Sequence, residues 1–154
     1  MPRTIATNTD VDREELLEFL RPRHKVVLIT TRRDGSVVGS PVTAGVDDEG
    51  RIVVATYPER AKARNVARTG TASVVVLSDE FEGAWVHVDG DAELITLPEA
   101  VEPLVDYFRS IAGEHSDWDS YRRAMTDQGK ALIRVTPTRW SPVATGGFPA
   151  RLAD

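Results

Sequence analysis

The sequence predicts a mainly β fold of the α+β class: a small antiparallel barrel of about six or seven strands with peripheral helices. β-Branched runs of strand length are joined by hairpin signals such as Asp34-Gly35. Hairpins dominate, and connections long enough for parallel crossovers are scarce. The 154 residues, of which 41% are hydrophobic, are enough for one core, so residues 1–154 are predicted to form a single domain.

The first half of the chain predicts one helix followed by three strands. Residues 11–20 place their apolar side chains with helical spacing, and Asp12 and Glu15 have the spacing of a capping box. The predicted strands are Lys25–Thr31, Val37–Val46 and Arg51–Thr56. Asp34-Gly35 joins the first two strands, and residues 47–50 join the second to the third.

The second half predicts a cationic helix, two longer strands, two more helices and a last pair of strands. The cationic helix spans residues 59–68, and the strands that follow are Thr71–Ser78 and Ala84–Leu97. The next helix has Pro98 in its first turn and ends at Gly113, and Ser116 caps a shorter helix with Asp119 at the capping-box position. Pro137 interrupts the last pair, Lys130–Val135 and Trp140–Ala144. Residues 1–9 and 146–154 are predicted to be flexible ends.

The charge and cysteine content exclude several classes of function. Lys and Arg number 19 against 24 Asp and Glu, a net charge of -5, so the broad basic surface typical of nucleic-acid binding is missing. With no cysteine, disulfides, thiolate metal sites and a cysteine nucleophile are impossible. Residues 1–12 lack an apolar signal segment, and no run approaches the roughly 20 apolar residues of a membrane span. We expect a cytoplasmic protein without a membrane span or a nucleic-acid partner.

One short segment reverses the acidic character of the chain. Residues 59–68 carry four cations: Arg60, Lys62, Arg64 and Arg68. A helix that begins here would direct its free N–H groups and positive dipole end toward the same place as Arg60 and Lys62. The segment therefore predicts a phosphate site for a small cofactor. The spacing of the three arginines is equally typical of a solvated helix face, so this second interpretation stays open.

The order of three strands, a cationic helix and two strands, with the segment Glu59-Arg60-Ala61-Lys62-Ala63-Arg64-Asn65, resembles the pyridoxamine 5′-phosphate oxidase-like split-barrel family. Within that family, residues 107–125 are similar to the actinobacterial branch of oxidoreductases that depend on the deazaflavin coenzyme F420. The resemblance covers nearly the whole chain. It implies an FMN-binding split barrel and a homodimer whose cofactor pocket lies at the subunit interface.

The resemblance also implies which residues hold the cofactor. Arg60, Lys62 and Asn65 match the positions that bind its phosphate and neighbouring chain, and Arg64 would assist. Ser40, Pro41, Val42 and Thr43 on one strand, with Ala55 and Thr56 on the next, match backbone that lies along the tricyclic ring. Backbone N–H and C=O groups would read the ring edge there, which requires no particular side chains. For each strand residue, an ordinary place in the core or at a strand edge is the alternative.

Trp85 and His87 are two residues apart on one predicted strand and therefore face the same way. The resemblance implies that this strand of one subunit closes the cofactor pocket of the other. Trp85 would then flank the ring, and His87 would reach a substrate or the phosphate as a candidate proton donor. A tryptophan in the dimer core and a hydrogen-bonded structural histidine are the alternatives.

Other chemistries find no support in the sequence. Glu114, His115, Asp117 and Asp119 have the spacing of a helix cap, and further ligands with fixed geometry are missing, so we expect no metal site. The scattered serines and histidines form no recognisable triad. The resemblance implies hydride transfer between F420 and a small organic acceptor. The alternatives are an FMN-dependent oxidoreductase on the same fold and an F420-binding protein that catalyses no reaction.

Overall fold

A computed structural model describes residues 2–154. The strands are β1 Thr7–Thr9, β2 Lys25–Thr31, β3 Val37–Thr43, β4 Gly45–Val46, β5 Ile52–Thr56, β6 Thr71–Val76, β7 Val86–Ile95, β8 Ala131–Trp140 and β9 Val143–Thr145. The helices are α1 Arg13–Leu20, α2 Ala61–Thr69, α3 Val101–Ala112 and α4 Trp118–Gln128. Strands β2 to β8 form one antiparallel sheet in the order β3-β2-β6-β7-β8-β5-β4.

The sheet curls because its two edge strands are consecutive in the chain. β3 and β4 stand at opposite ends of the strand order, yet only Ala44 separates them in sequence. His24 holds this junction: its Nδ1 lies 2.8 Å from the carbonyl oxygen of Ala44, and the Ala44 N–H donates to the His24 carbonyl at 2.9 Å. The predicted antiparallel split barrel with peripheral helices is confirmed.

Alternation of more and less buried residues on strands such as β2, β6 and β7 gives the curled sheet an inner and an outer face. On β7, Val86 and Val88 are buried, whereas His87 and Asp89 point to the outer face. Helix α1 closes the inner core with its buried side chains Leu16, Leu17 and Leu20. Each buried leucine contributes about 2 kcal/mol of hydrophobic stabilisation, so α1 is firmly attached to the barrel.

A second, smaller core attaches helices α3 and α4 to the outside of the barrel. Val53 and Leu132, on neighbouring strands β5 and β8, pack with Ala100, Leu104 and Met125. This cluster fixes the two helices beside the end of β5. The helices therefore form one wall of the pocket described below.

Three local predictions were wrong. The predicted strand Val37–Val46 is divided at Ala44, because β3 pairs with β2 whereas β4 pairs with β5. Pro98 lies outside the first helical turn, since α3 begins at Val101 with Ala100 as its N-cap. Asp117, rather than Ser116, caps α4, because its carboxylate accepts the N–H of Ser120 at 3.1 Å.

The predicted break at Pro137 was also wrong, because β8 runs through it. Gly90 of β7 pairs with Pro137 while Asp89 pairs with Arg139, so the register shifts by one residue at this point. A bulge accommodates a proline because the ladder bond it cannot donate is not required there. Gly90 permits the close approach, since a Cβ at this position would meet the carbonyl of Thr136.

The two ends of the chain lie beside each other. β1 pairs with β9, and the Ala6 N–H donates to the carbonyl of Phe148 at 2.9 Å. The predicted flexibility of residues 1–9 and 146–154 remains a prediction, and Met1 lies outside the described residues. Within residues 2–154, every helix is too short or too polar to cross a bilayer.

Candidate functional site

A pocket of about 530 Å³ opens where the curled sheet is split. We call it the split pocket. Val42 and Thr43 at the end of β3 form one side, and Ala55 and Thr56 at the end of β5 form the other. The N-terminus of α2 and the outer helices α3 and α4 complete it. Its volume lies within the range of pockets that hold a small organic ligand.

The α2 end of the split pocket is cationic. Arg60 is the N-cap of α2, no side chain caps this helix, and Lys62 lies in its first turn. Neither cation forms an ion pair with any carboxylate of residues 2–154. Lys130 lies on the same side, with its Nζ 4.3 Å from the centroid of the Tyr57 ring. Free N–H groups, the helix dipole and three cations together favour an anion.

Thr56 provides a further polar atom at this end. The residue is 4% exposed, and within the described part of the chain its Oγ1 is the one buried side-chain oxygen or nitrogen without a hydrogen-bond partner. Such an unpaired hydroxyl costs free energy unless a ligand completes its hydrogen bond. The Thr56 hydroxyl, Arg60 and Lys62 therefore fit an oxyanion such as a phosphate group.

The opposite wall of the split pocket is aromatic. Phe108 and Tyr121 have ring centroids 5.1 Å apart, and Tyr107 lies beside them. The Tyr121 hydroxyl donates to the carbonyl of Leu104 at 2.9 Å, and the Tyr107 hydroxyl donates to the carbonyl of Thr43 at 3.2 Å. Burial raises the pKa of Tyr107. Burial also raises the pKa of Tyr121 to about 12, and the neighbouring Tyr107 adds a smaller electrostatic effect in the same direction. Both phenols stay neutral with their protons engaged, so the wall offers apolar ring surface to a flat ligand.

Behind this wall, the helix-cap residues considered for a metal site are engaged in other contacts. His115 packs against Phe108 with centroids 5.2 Å apart, and its Nδ1 accepts the N–H of Asp117 at 2.8 Å. Glu114 accepts hydrogen bonds from Trp118 and Arg109. Across residues 2–154, no three or more His, Asp and Glu side chains gather as a metal site requires. The expectation of no metal remains a prediction.

Helix α3 reaches the split pocket because a glycine lets it approach the sheet. A Cβ on Gly45 of β4 would overlap Ser110 of α3 and lie 3.3 Å from Ile111. Ser110 is itself fixed, since its hydroxyl donates to the carbonyl of Tyr107 at 2.7 Å. The missing side chain at residue 45 thus sets the position of Tyr107.

The structure brings together six of the residues predicted to hold the cofactor. Val42, Thr43, Ala55, Thr56, Arg60 and Lys62 all line the split pocket. Ser40 and Pro41 lie further along the edge strand β3 and do not line it. Of the four β3 residues predicted to lie along the cofactor ring, only the last two, Val42 and Thr43, therefore lie at the pocket.

Arg64 and Asn65 lie away from the split pocket, beside a different cavity. One residue turns an α-helix by about 100°, so Arg64 points about 200° away from Lys62. Asn65 is 7% exposed and already bonded: its Nδ2 donates to Thr30 Oγ1 at 3.2 Å, and its Oδ1 accepts from Arg68 at 3.1 Å. Their assignment to the cofactor remains a prediction that this geometry does not support.

Trp85 and His87 face the same way, as predicted, but on the outer face of the sheet, and neither lines the split pocket. His87 Nε2 lies 2.8 Å from Asp89 Oδ1, and the same carboxylate accepts hydrogen bonds from Ser73 and Arg139. Ser73, with help from Arg139 and His87, lowers the pKa of Asp89 to about 2. Because an ionised carboxylate only accepts, a neutral His87 ring carries its proton on Nε2.

Sequence reasoning missed the aromatic wall and the third cation. Phe108 follows Leu104 and Val105 at helical spacing, which is how core residues also look. Lys130 follows a helix end and carries no local motif. A usable signal was the density of aromatic side chains in residues 107–121, since Phe108 and Trp118 do not belong to the second core.

Residues 12–144 match the family model for pyridoxamine 5′-phosphate oxidase. The chain belongs to this family. The resemblance predicted from the sequence is thereby confirmed, and the split pocket belongs to a pyridoxamine 5′-phosphate oxidase-like barrel.

Several solved structures superpose on this pyridoxamine 5′-phosphate oxidase-like fold. A conserved hypothetical protein from Mycobacterium tuberculosis superposes with a TM-score of 0.70 over 91% of this chain and 89% of its own, at 22% identity. An F420 reductase superposes with a TM-score of 0.60 over 80% of this chain and 94% of its own, at 20% identity. A heme-binding protein from Mycobacterium smegmatis superposes with a TM-score of 0.63 over 86% of this chain and 54% of its own, at 18% identity. The fold is therefore shared by proteins named for different ligands.

Proposed function

We propose that this protein is an oxidoreductase that binds coenzyme F420 and transfers a hydride between the deazaflavin and a small organic acceptor. The observation that carries the proposal is the composition of the split pocket. An uncapped cationic helix end with an unpaired buried hydroxyl lies on one side, and an aromatic wall lies on the other. A phosphorylated tricyclic cofactor has a phosphate for the cationic side and an aromatic ring system for the aromatic side. The F420 reductase among the structural neighbours supports the choice of cofactor.

Each part of the pocket has a specific role in this proposal. Arg60, Lys62 and the Thr56 hydroxyl hold the phosphate, where charge-assisted hydrogen bonds are strongest. The rings of Phe108 and Tyr121 flank the tricycle and exclude water from one side. Thr43 and Ala55 line the pocket, and their backbone groups would read the polar edge of the ring.

The bound deazaflavin would supply the hydride chemistry at its C5. The protein orients the acceptor and keeps water away, which requires no catalytic acid or base for the hydride itself. Tyr107 and Tyr121 use their protons in the hydrogen bonds to Thr43 and Leu104, so they are poor proton donors to an acceptor. His87 is our candidate for that step: its Nε2 is engaged by Asp89, so the protonated ring would donate from Nδ1, provided that a second subunit brings it to the pocket.

A homodimer is the second part of the proposal. The outer face carries an apolar groove of about 760 Å³ lined by Val75, Leu77, Phe81 and Trp85. Phe81 is 90% exposed and Trp85 is 39% exposed, which is unusual for large apolar side chains on a monomer surface. We place the second subunit on this groove, in agreement with the family resemblance. The same face presents Trp85 and His87 to the partner.

The experiment is a fluorescence and absorbance titration of cofactor-free protein with oxidised F420 and, separately, with FMN. We expect micromolar binding of F420 and much weaker binding of FMN. The reverse preference would identify an FMN-dependent oxidoreductase, and binding of neither would overturn the proposal. Incubating the protein with reduced F420 and a panel of enone, quinone and nitro acceptors then tests for turnover. F420 binding without oxidation by any acceptor would favour the non-catalytic F420-binding alternative.

A further inference from the structure

A second cationic cavity lies on another face of helix α2. It has a volume of about 210 Å³, is lined by Arg33, Ala61, Arg64, Asn65 and Arg68, and is called the arginine pocket here. Arg33 reaches it from the turn between β2 and β3, and the other residues belong to α2. None of its three arginines forms an ion pair with a carboxylate of residues 2–154, although the chain has 24 Asp and Glu.

Buried polar side chains hold one of these arginines in place. Arg68 donates through Nη1 to Asn65 Oδ1 at 3.1 Å and through Nη2 to the carbonyl of Thr31. Asn65 is in turn fixed by Thr30, and both residues are more than nine-tenths buried. Thr30, Thr56 and Asn65 are the buried polar residues in the described part of the chain. Thr56 lines the split pocket, and the other two support the arginine pocket.

This arrangement differs from a solvated helix face. Arg64 and Arg68 are one turn apart, so their like charges destabilise the helix unless an anion intervenes. A solvated arginine needs no buried amide to orient it, and burying Asn65 is costly unless the position is required. The guanidinium of Arg68 retains further N–H donors beyond the two bonds described. Arg33 and Arg64 make no side-chain hydrogen bond within residues 2–154, so their donors remain available.

We propose that the arginine pocket binds a small oxyanion with two or more negative charges, either a phosphate or a polycarboxylate group. Guanidinium groups match such anions because their planar N–H pairs fit two oxygens at once. The pocket shares no lining residue with the split pocket, and the proposal stands whether or not F420 is the cofactor. Binding would remove the repulsion among Arg33, Arg64 and Arg68.

The test is NMR titration of cofactor-free protein with inorganic phosphate and, separately, with citrate, at an ionic strength kept constant with NaCl. The side-chain amide of Asn65 reports on the pocket from behind Arg68. The variant Arg33→Gln/Arg64→Gln removes two cations and no ion pair or side-chain hydrogen bond among the described residues, so it should fold. Arg123→Gln is the control for the loss of a surface cation elsewhere, because Arg123 is exposed on α4 and forms no ion pair within residues 2–154.

We expect a saturable shift of the Asn65 amide with at least one anion. The double variant should weaken that binding at least tenfold, and Arg123→Gln should leave it within about twofold. Saturation by phosphate alone or by citrate alone identifies which oxyanion the pocket takes. No saturable shift with either anion, or equal affinity in the double variant and the control, would overturn the proposal.

Discussion

The phenol of Tyr107 donates a hydrogen bond to the carbonyl oxygen of Thr43 at 3.2 Å, from helix α3 to the end of strand β3. Both residues line the split pocket, so this bond runs across the split from its helical wall to its β3 side. It holds the aromatic wall at a fixed distance from the strand that would lie along a bound ring. Preorganisation of this kind lowers the cost of ordering the site when a ligand binds.

Replacing Tyr107 with phenylalanine should therefore loosen the pocket more than it destabilises the fold. We expect the free energy of unfolding in urea to fall by about 1 kcal/mol, the typical net value of one hydrogen bond. Cofactor affinity should fall about threefold to tenfold. Tyr121→Phe is the control, because that hydroxyl bonds Leu104 within the helical layer and not across the split. Equal losses of affinity in both variants would show that the cross-split bond has no special role.

Thr56→Val separates ligand binding from stability. Valine has nearly the same shape and removes the buried hydroxyl that lacks a partner in the cofactor-free protein. The free energy of unfolding should stay unchanged or rise by up to about 1 kcal/mol, while affinity for the phosphorylated cofactor falls about tenfold.

The matched control for this substitution is Thr30→Val, which removes a buried hydroxyl that is bonded to Asn65. It should destabilise the fold and leave cofactor affinity nearly unchanged. If Thr56→Val destabilises the cofactor-free protein as much as Thr30→Val does, then the Thr56 hydroxyl has a structural partner and our assignment fails.

Asp89 should contribute to acid stability. Its pKa in the folded protein is about 2, below the ordinary value of 3.8, so the ionised group stabilises the fold above about pH 4. That contribution is lost as the pH falls from about 4 to about 2, and we expect about 1 kcal/mol because the group is partly solvated. Asp89→Asn should lower stability at pH 7 and flatten this part of the acid unfolding curve. Asp91→Asn, an exposed change on the same strand, should leave the curve unchanged.

The proposed dimer should depend on Phe81. Phe81→Ser removes the most exposed aromatic side chain of the outer groove, and sedimentation velocity should then show a shift from dimer toward monomer. Val37→Ser is the matched control, since Val37 is 63% exposed and does not line the groove. A dimer that persists unchanged in Phe81→Ser, or a wild-type protein that sediments as a monomer, would contradict the proposed interface.

The succession of helices and strands along the chain and most element boundaries could be predicted because they depend on local chemistry. Lys25–Thr31 is rich in β-branched residues, and the sequence identifies both of its ends. The division of β3 from β4 could not be predicted, since the residues around Ala44 continue the strand pattern and only tertiary pairing separates them. The β8 bulge was missed for the same reason: its Gly90 lies on another strand.

The candidate site was predictable at its cationic end and not at its aromatic end. Residues 59–68 form a local signal, so Arg60 and Lys62 were identified directly. Which way Arg64 and Asn65 point depends on the packing of α2 against β2, which the sequence does not determine. The aromatic wall lies about 50 residues after the cations in the chain. It lines the same pocket because the second core attaches α3 and α4 beside the end of β5.

The most direct test of the central claim is a fluorescence titration of wild-type protein, Lys62→Gln and Arg123→Gln with oxidised F420. Each variant replaces one cation with a neutral side chain, so the two variants change the net charge equally. They differ in position, since Lys62 lies at the proposed phosphate site whereas Arg123 is an exposed cation on α4. We predict that Lys62→Gln weakens binding at least tenfold, as expected for a lost charge-assisted hydrogen bond, and that Arg123→Gln binds as the wild type does. Identical affinity in all three proteins, or no binding by the wild type, would contradict the account.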